Sequence, residues 1–535
     1  MMAAHATEFD YIIVGAGSAG CVVAEQLTRD RDITVCILEA GKSDNHPHIR
    51  TPMLLKEVVS GGPFNWSYET EPQSRLNDRR LFWPRGKTLG GSSSINAMHY
   101  MRGARENFDE WGELAGDPSW NWPDALDRFR KHENNDTFNG PLHGNDGPLH
   151  VQSIPKLNPL TKLFLQAGGE LQYPGNDDFN GPQQYGFGPY QVTMNGPRRW
   201  SAADAFLRPA MERGNLTVLT EALGHRVRLE NGKATGIVAA IADEVVELTA
   251  RKEVILSGGA INSPQLLQLS GIGDPDWLRA AGVSPEIDLP GVGRNLQDHL
   301  DVAAVATVRT AEAIGLSLQR FPKNMYDVLR WMIRGDGDFT VIPVQGGAFI
   351  SSSVAGNIPD LQLVFIPGYS LNHGKETKMG HGMTLHVCHL YPESRGEIRI
   401  TSDDPADYPA IDPNYLDSDM DLTALTDGYE KIVEILKAPA FRDEFVEWVH
   451  PQQSGSRDDL VADIRQRAET LYHPTSTCVI GTGELAVLDA RCRVRGVSGL
   501  RVVDASAMPR LVGGNTNAPT MMLADKAGEM IREDA

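Results

Sequence analysis

Two short blocks near the C-terminus carry side chains suited to moving a proton. Tyr472-His473-Pro474-Thr475-Ser476-Thr477-Cys478 places an imidazole among hydroxyls, and Gly514-Asn515-Thr516-Asn517-Ala518-Pro519-Thr520 offers two carboxamides. A neutral imidazole can accept a proton near pH 7. A carboxamide N–H can donate to an oxygen that is gaining negative charge. Residue chemistry alone favours a plainer reading, in which His473 is a hydrogen-bonded core histidine.

At the other end of the chain, Tyr11–Gly20 reads YIIVGAGSAG. Gly15-x-Gly17-x-x-Gly20 lies between a strand-like run and a helix-like run, the context a dinucleotide fingerprint requires. The first glycine permits the tight turn. The second lets the backbone approach a pyrophosphate, and the third lets helix pack on strand. The helix start at Ser18 would then aim free N–H groups at phosphates. Glu39, followed by Ala40, comes 19 residues after the last glycine, at the end of the next strand. A carboxylate there can accept from ribose hydroxyls and repels a 2′-phosphate, which disfavours NADP. The motif by itself does not separate FAD from NAD. A third segment, Leu81–Gly103, reads LFWPRGKTLGGSSSINAMHYMRG. Gly90-Gly91 and the serines from Ser92 allow close ligand approach with small donors. The flanking Trp83, Met98, Tyr100 and Met101 favour burial over a free loop.

These groups need elements to hold them. Residues 10–40 read as β-α-β, with strand Tyr11–Val14, a helix from Ala19 to Arg29 and strand Thr34–Leu38. Residues 42–80 read as loop. Helical pieces over 105–132 break at Gly116-Asp117-Pro118, and 138–148 is turn-rich. Between 215 and 257, Leu216–Leu219, Arg226–Leu229, Ala234–Ala240, Val245–Leu248 and Glu253–Leu256 read as separate strands. A helix starts at Ser263 with Pro264 in its first turn. Lys323–Arg334 is an amphipathic helix whose Tyr326, Trp331 and methionines are expected to pack as core or cap. Strand Leu500–Val503 and helix Met521–Ile531 close the chain. The fold class is α/β: a Rossmann-like cofactor domain from 1–150, 213–300 and 465–535, with a discontinuous α+β substrate-binding cap from 151–212 and 301–464.

The bulk numbers exclude some classes. Acidic residues (70) outnumber basic ones (50) for a net charge of −20. Nucleic acid is therefore not an expected partner, since phosphate binding needs a basic surface. Residues 1–10 lack the basic and apolar regions of a signal peptide, and no apolar run is long enough to span a bilayer. Peripheral membrane contact stays compatible with the chain. Five scattered cysteines without a CxxC pair imply a reducing, cytoplasmic setting.

Four blocks taken together resemble the glucose–methanol–choline (GMC) oxidoreductase family. They are Leu81–Gly103, Gly259–Gly273 (GAINSPQLLQLSGIG), Leu289–His299 (LPGVGRNLQDH) and Val502–Pro509 (VVDASAMP). The resemblance runs from about residue 9 to 533 with the blocks in family order. It implies FAD, a substrate domain over the isoalloxazine, and alcohol oxidation to an aldehyde or ketone. It makes His473 the proton acceptor beside flavin N5 and Asn517 its partner; Asn515, two residues earlier, is the rival that spacing does not eliminate. It places Asn96 and Ala97 beside the flavin ring, gives Asp504 (with Ala505) to the ribityl chain and Val227 to the adenine, and brings Asn515 and Thr516 to the cofactor. Where some members attach the flavin through a histidine, this chain has Ile95, so non-covalent FAD is expected. Leu471 is expected to pack near the reactive flavin edge and hinder O2.

Within the family, the blocks at 472–478 and 508–513 look closest to sorbose-dehydrogenase-like and polyethylene-glycol-dehydrogenase-like members. That implies a primary alcohol substrate and an electron acceptor such as a quinone or a dye-like compound. An O2-using oxidase is the main alternative; a hydroxynitrile lyase or a non-catalytic flavin protein ranks lower. No acidic box for a quaternary ammonium is visible. Asp298-His299 is read as a structural hydrogen-bonding pair and Arg198-Arg199 as solvated or paired charges. Asp417-x-Asp419-x-Asp421 lacks the glycine and glutamate of a calcium loop and suits a helix start. No metal is expected.

Overall fold

The structure is a computed structural model that describes residues 7–242, 244–315, 317–372, 375–376, 378–452 and 456–535. Most of the N-terminal stretch read for a signal peptide lies outside the described residues. Two seven-stranded sheets dominate. The first runs in the order Leu216–Thr220, Val35–Glu39, Glu8–Val14, Glu244–Leu256, Lys233–Ile241, Ala222–Glu230, with Leu500–Val502 also paired to Glu244–Leu256. Glu8–Val14 is parallel to both its neighbours, and Val35–Glu39 is buried throughout. Strands covered on both faces read as unbroken apolar runs, as YIIV and VCIL do. Helices Ser18–Leu27 and Asn517–Glu533 pack together on this sheet, tied by Ser18 and Asn517 at one end and Gln26 and Asp525 further along.

The second sheet contains Gly186–Pro189, Gly346–Ile350, Leu361–Ile366, Gly382–His389, Leu300–Val308 and Phe445–His450. Glu469–Thr470 pairs with Leu300–Asp301 in it, a few residues beyond the expected seam at 465. Helix Asp419–Leu436 covers one face. It starts with Ser418 as its cap and Asp419 and Asp421 in the first turn, where acids suit the helix dipole.

Several element boundaries differ from expectation. Val245–Leu248 and Glu253–Leu256 belong to one 13-residue strand, because antiparallel pairing to Lys233–Ile241 overlaps at Thr249 with parallel pairing to Glu8–Val14, which resumes at Glu253 after a register shift. Residues 42–80 contain short helices at Pro47–Arg50 and Leu55–Val59. The helix expected from Ser263 begins at Gly259, so Pro264 lies inside it. Proline there leaves the Ala260 carbonyl, four residues back, without its helical N–H. The Thr477 hydroxyl donates to that carbonyl at 2.7 Å, tying the His473 block to the first sheet's helix.

Helix Phe321–Arg334 also departs from the core packing expected of it. Met332 and Ile333 are 69% and 79% exposed, and Phe321, Met325, Tyr326 and Leu329 are exposed too. Its polar edge faces inward instead: Asp327 is buried, Lys323 pairs with Asp327 and Trp331 stacks on Phe339.

Candidate active site

A cavity of about 740 Å³ runs from the glycine turn to His473. At one end it is lined by Glu39 and Ala40. Gly15, Gly17 and Ser18 face Gly91 and Ser92 in its middle. Asn96, Ala97, His473, Asp504, Ala505 and Asn515–Asn517 line the remainder. Gly15 sits at φ +106°, and a Cβ on it would come within 2.4 Å of the Ser257 carbonyl oxygen. A Cβ on Gly20 would lie 1.9 Å from the Gly15 oxygen, so Gly20 serves helix–strand packing and stays outside the lining. Gly90 also stands behind the wall, its N–H donating to Ala16 at 2.7 Å.

Glu39 is held where its strand ends. Its two oxygens accept from the Ala16 and Gly41 backbone N–H groups at 3.1 and 2.8 Å. Burial pushes its carboxyl up to about 7 against those two bonds. A carboxyl so placed gains from any further hydrogen-bond donor, and ribose hydroxyls supply two. The long cavity, the glycine turn at a helix start and the acid at one end together fit a dinucleotide cofactor.

His473 is fixed on three sides. Its backbone N–H donates to Asp298 at 2.7 Å, and Asp298 also accepts from the Tyr415 and Thr470 hydroxyls. Its Nδ1 lies 2.8 Å from His299 Nδ1, with the rings perpendicular. Its Nε2 lies 3.2 Å from the Asn515 amide nitrogen. The flanking Tyr472 and Ser476 both adopt φ near +69°. Such left-handed residues cost on the order of 1–3 kcal/mol each and persist where surrounding bonds over-determine them. Here Arg85 donates to the Tyr472 carbonyl at 2.9 Å, and Ser476 N–H donates to Ala505 at 3.1 Å. Burial holds the His473 imidazole well below its ordinary value, with His299, Arg85 and His99 adding to the effect. The ring is therefore neutral at pH 7 and free to accept a proton.

Two expectations about individual residues need correction, those for Asn517 and Val227. Asn515, not Asn517, approaches His473. Asn517 is the first residue of the C-terminal helix, and its oxygen accepts from Ser18 at 2.8 Å, on the glycine-turn side. Val227 does not line the cavity. Its N–H donates to Ser270 at 2.8 Å, and a register shift between Gly224 and Arg226 leaves Ala222, Leu223 and Gly224 on the cavity wall. Asp504 does line the cavity, but its oxygens already accept four bonds, from Gly259, Ser263 and twice from Ser506. It clasps the helix start at Gly259, and a ribityl contact would have to share those oxygens. The hydrogen bonding expected of Asp298 and His299 is present, and both bond directly to His473.

Other site residues had only weak sequence signals. Arg199 is 1% exposed, not solvated. It donates to the Ile49 and Ser93 carbonyls and to Asn96 Oδ1, so it braces the loop that carries Asn96. Near His473 the cavity wall is apolar: Met98, Val344, Val364, Ile366 and Leu471 belong to one cluster. An acid does reach it. Asp301, paired with His386 at 2.5 Å, lines the cavity. Ile95 also lines it, packed with Ile49 and Val58.

Comparison with known proteins decides the family. The GMC oxidoreductase N-terminal model matches residues 9–301 and the C-terminal model matches residues 392–524. The chain belongs to the GMC oxidoreductase family. An alcohol dehydrogenase [acceptor] of Pseudomonas putida is 45% identical over 98% of this chain and 95% of that protein. An oxygen-dependent choline dehydrogenase of Paraburkholderia phymatum is 41% identical over 98% and 93%. Among solved GMC-like structures, pyridoxine 4-oxidase from Mesorbium loti superposes with a TM-score of 0.88 at 30% identity, covering 98% of this chain and 99% of that one. Formate oxidase of Aspergillus oryzae gives 0.92 at 25% identity, covering 99% of each. The fold is that of the GMC flavoenzymes: a Rossmann-like FAD domain with a cap.

Proposed function

We propose that this GMC oxidoreductase is an FAD-dependent alcohol dehydrogenase that oxidises an uncharged primary alcohol with His473 as proton acceptor. The observation that carries the reading is a buried, neutral imidazole whose Nε2 faces both the cavity and the Asn515 amide. An alcohol oxygen arriving there meets a base and a donor together. Nε2 takes the hydroxyl proton, and the Asn515 N–H holds the oxygen as charge grows on it. The flavin, when bound, accepts the hydride. The apolar wall of Met98, Val344, Val364 and Leu471 orients the carbon chain and excludes water from the reacting carbon.

The FAD would lie along the cavity. Glu39 suits its ribose, the backbone from Gly15 to Ser18 with Gly91 and Ser92 its pyrophosphate, and Asn96 and Ala97 its ring. Ile95 offers no nucleophile, which supports non-covalent attachment. The strand memberships support assigning 1–150, 213–300 and 465–535 to the FAD domain and 151–212 and 301–464 to the substrate side. Five free, buried cysteines support a cytoplasmic, reducing setting. The electron acceptor is a quinone or dye-like compound in preference to O2, a reading supported by the acceptor-dependent relative and by Leu471 on the cavity wall.

Anaerobic bleaching of the flavin band by 1-octanol, benzyl alcohol, a glycol ether and choline tests the reading. An uncharged primary alcohol is expected to bleach it fastest, and bleaching by none would overturn the assignment. Oxygen uptake separates oxidase from dehydrogenase. Flavin that stays with the chain after acid precipitation would overturn non-covalent binding.

A further inference from the structure

Gln362 is a fully buried amide within the otherwise apolar strand Leu361–Ile366. Its Nε2 lies 3.1 Å from the Tyr190 hydroxyl and 3.3 Å from Asn515 Oδ1. The Tyr190 hydroxyl donates to the Leu363 carbonyl at 2.7 Å. A carbonyl can only accept, so the Tyr190 proton is committed and its oxygen must accept from Gln362. The second Gln362 N–H then goes to Asn515 Oδ1. That fixes the Asn515 amide with its NH2 toward His473 Nε2, which must present a lone pair.

The opposite side of the ring gives the same answer independently. His299 Nε2 lies 3.0 Å from the Leu390 carbonyl, so it carries the proton of a neutral ring. Burial keeps that ring neutral, pushing it down to about 3; His389 adds to the effect, and the Leu390 and Val512 carbonyls oppose it. His299 Nδ1 is therefore a lone pair, and His473 Nδ1, 2.8 Å away, must be the donor. Two hydrogen-bond chains, each ending on a backbone carbonyl, thus demand one arrangement of His473: a proton on Nδ1 and none on Nε2.

We propose that Gln362 and His299 are positioning residues that impose this single tautomer on His473 from opposite ends, leaving Nε2 unprotonated toward the cavity. The proposal rests on His473 being the proton acceptor. When Nε2 takes the substrate proton, His299 Nδ1 stays as acceptor for the Nδ1–H of the imidazolium and makes the base stronger. The Asn515 amide, held by Gln362, presents a donor and not a second acceptor. The groups facing His473 are His299, Arg85, His99 and Asn515, with Asp298 on its backbone.

The test uses the FAD-loaded enzyme, the best alcohol of the panel above and stopped-flow flavin bleaching across pH. Gln362→Met keeps the volume and removes the donor. His299→Leu removes the acceptor, and His299→Asn keeps an oxygen acceptor for His473. Gln362→Met and His299→Leu should each slow bleaching by about tenfold or more, while His299→Asn should stay within about threefold of wild type. The acid limb of the bleaching rate should move to lower pH in His299→Leu, where the base is weakened. It should move to higher pH in Gln362→Met, where the freed Asn515 oxygen can turn to Nε2 and favour the protonated ring. Slower bleaching with neither limb displaced would overturn the proposal and leave both residues as packing. Histidine ¹⁵N spectra of the wild-type holoenzyme, assigned with a His473 variant, require no stable Gln362 or His299 variant. They should show His473 protonated at Nδ1; protonation at Nε2 would overturn the proposal. If His473→Ala bleaches like wild type, the underlying reading fails. If only the Gln362 and His299 variants do so, this inference alone fails.

Discussion

At the scale of single residues, the site turns on the difference between two asparagines two positions apart. Asn515 faces His473 and Asn517 faces Ser18. Asn515→Ala should lower the rate of flavin bleaching about 10²-fold with FAD retained, the usual cost of losing one such donor. Asn517→Ala should chiefly weaken FAD retention. The reverse pattern would restore the sequence-based assignment. His473→Ala should cost about 10²–10⁴-fold. Because burial lowers the His473 imidazole, the base form persists as pH falls toward and below 6.5. The pH profile of kcat/KM should therefore be level above neutrality and decline only in acid; an acid limb at or above the ordinary histidine value would contradict this. Glu39 behaves oppositely. Its carboxyl is raised to about 7, so the stability it lends the cofactor-free fold is complete below the ordinary glutamate value and is lost as pH rises through about 7. Ribose hydroxyls favour the ionised form. FAD affinity, measured by titrating the cofactor-free protein, should rise with pH up to about 7 and then level off.

At the scale of elements, the Pro264 helix shows how a local defect is used. Proline strips the Ala260 carbonyl of its partner, and Thr477 replaces it from the loop that carries His473. Thr477→Val should cost about 1–3 kcal/mol in chemical denaturation, because a buried carbonyl is left unsatisfied. Local order in this chain was legible wherever a period or a punctuating residue spoke. Gly15–Glu39 read correctly as strand, turn, helix and acid, and the break at Gly116 falls between helices Arg105–Ala115 and Trp122–His132. The long strand Glu244–Leu256 did not, because its polar middle mimics a turn while its pairing is set by a distant segment. The fine structure of the site was hidden for the same reason. Arg199, Gln362 and Asp301 are polar residues whose burial depends on contacts 85 to 153 residues away in sequence.

At the scale of the molecule, the departure with the widest reach is helix Phe321–Arg334. Its hydrophobic positions were legible, but the direction they face was not, since a polar edge pinned by Asp327 and Lys323 turns inward. Met332→Lys and Ile333→Lys should therefore change folding stability by no more than about 0.5 kcal/mol, as for surface positions. A core site would lose several times that, and thermal denaturation distinguishes the two. Among the described residues, no helix is long and apolar enough to cross a membrane.

The first sheet takes strands from both ends of the chain: Leu500–Val502 pairs with Glu244–Leu256, and helix Asn517–Glu533 packs against Ser18–Leu27. Domains assemble as units and synthesis delivers the N-terminus first. A nascent polypeptide still on the ribosome thus exposes its nucleotide fingerprint long before the walls that grip the coenzyme exist. Coenzyme loading must wait for chain release, and a product truncated before residue 500 would leave the cell colourless, however well its opening β-α-β unit had formed.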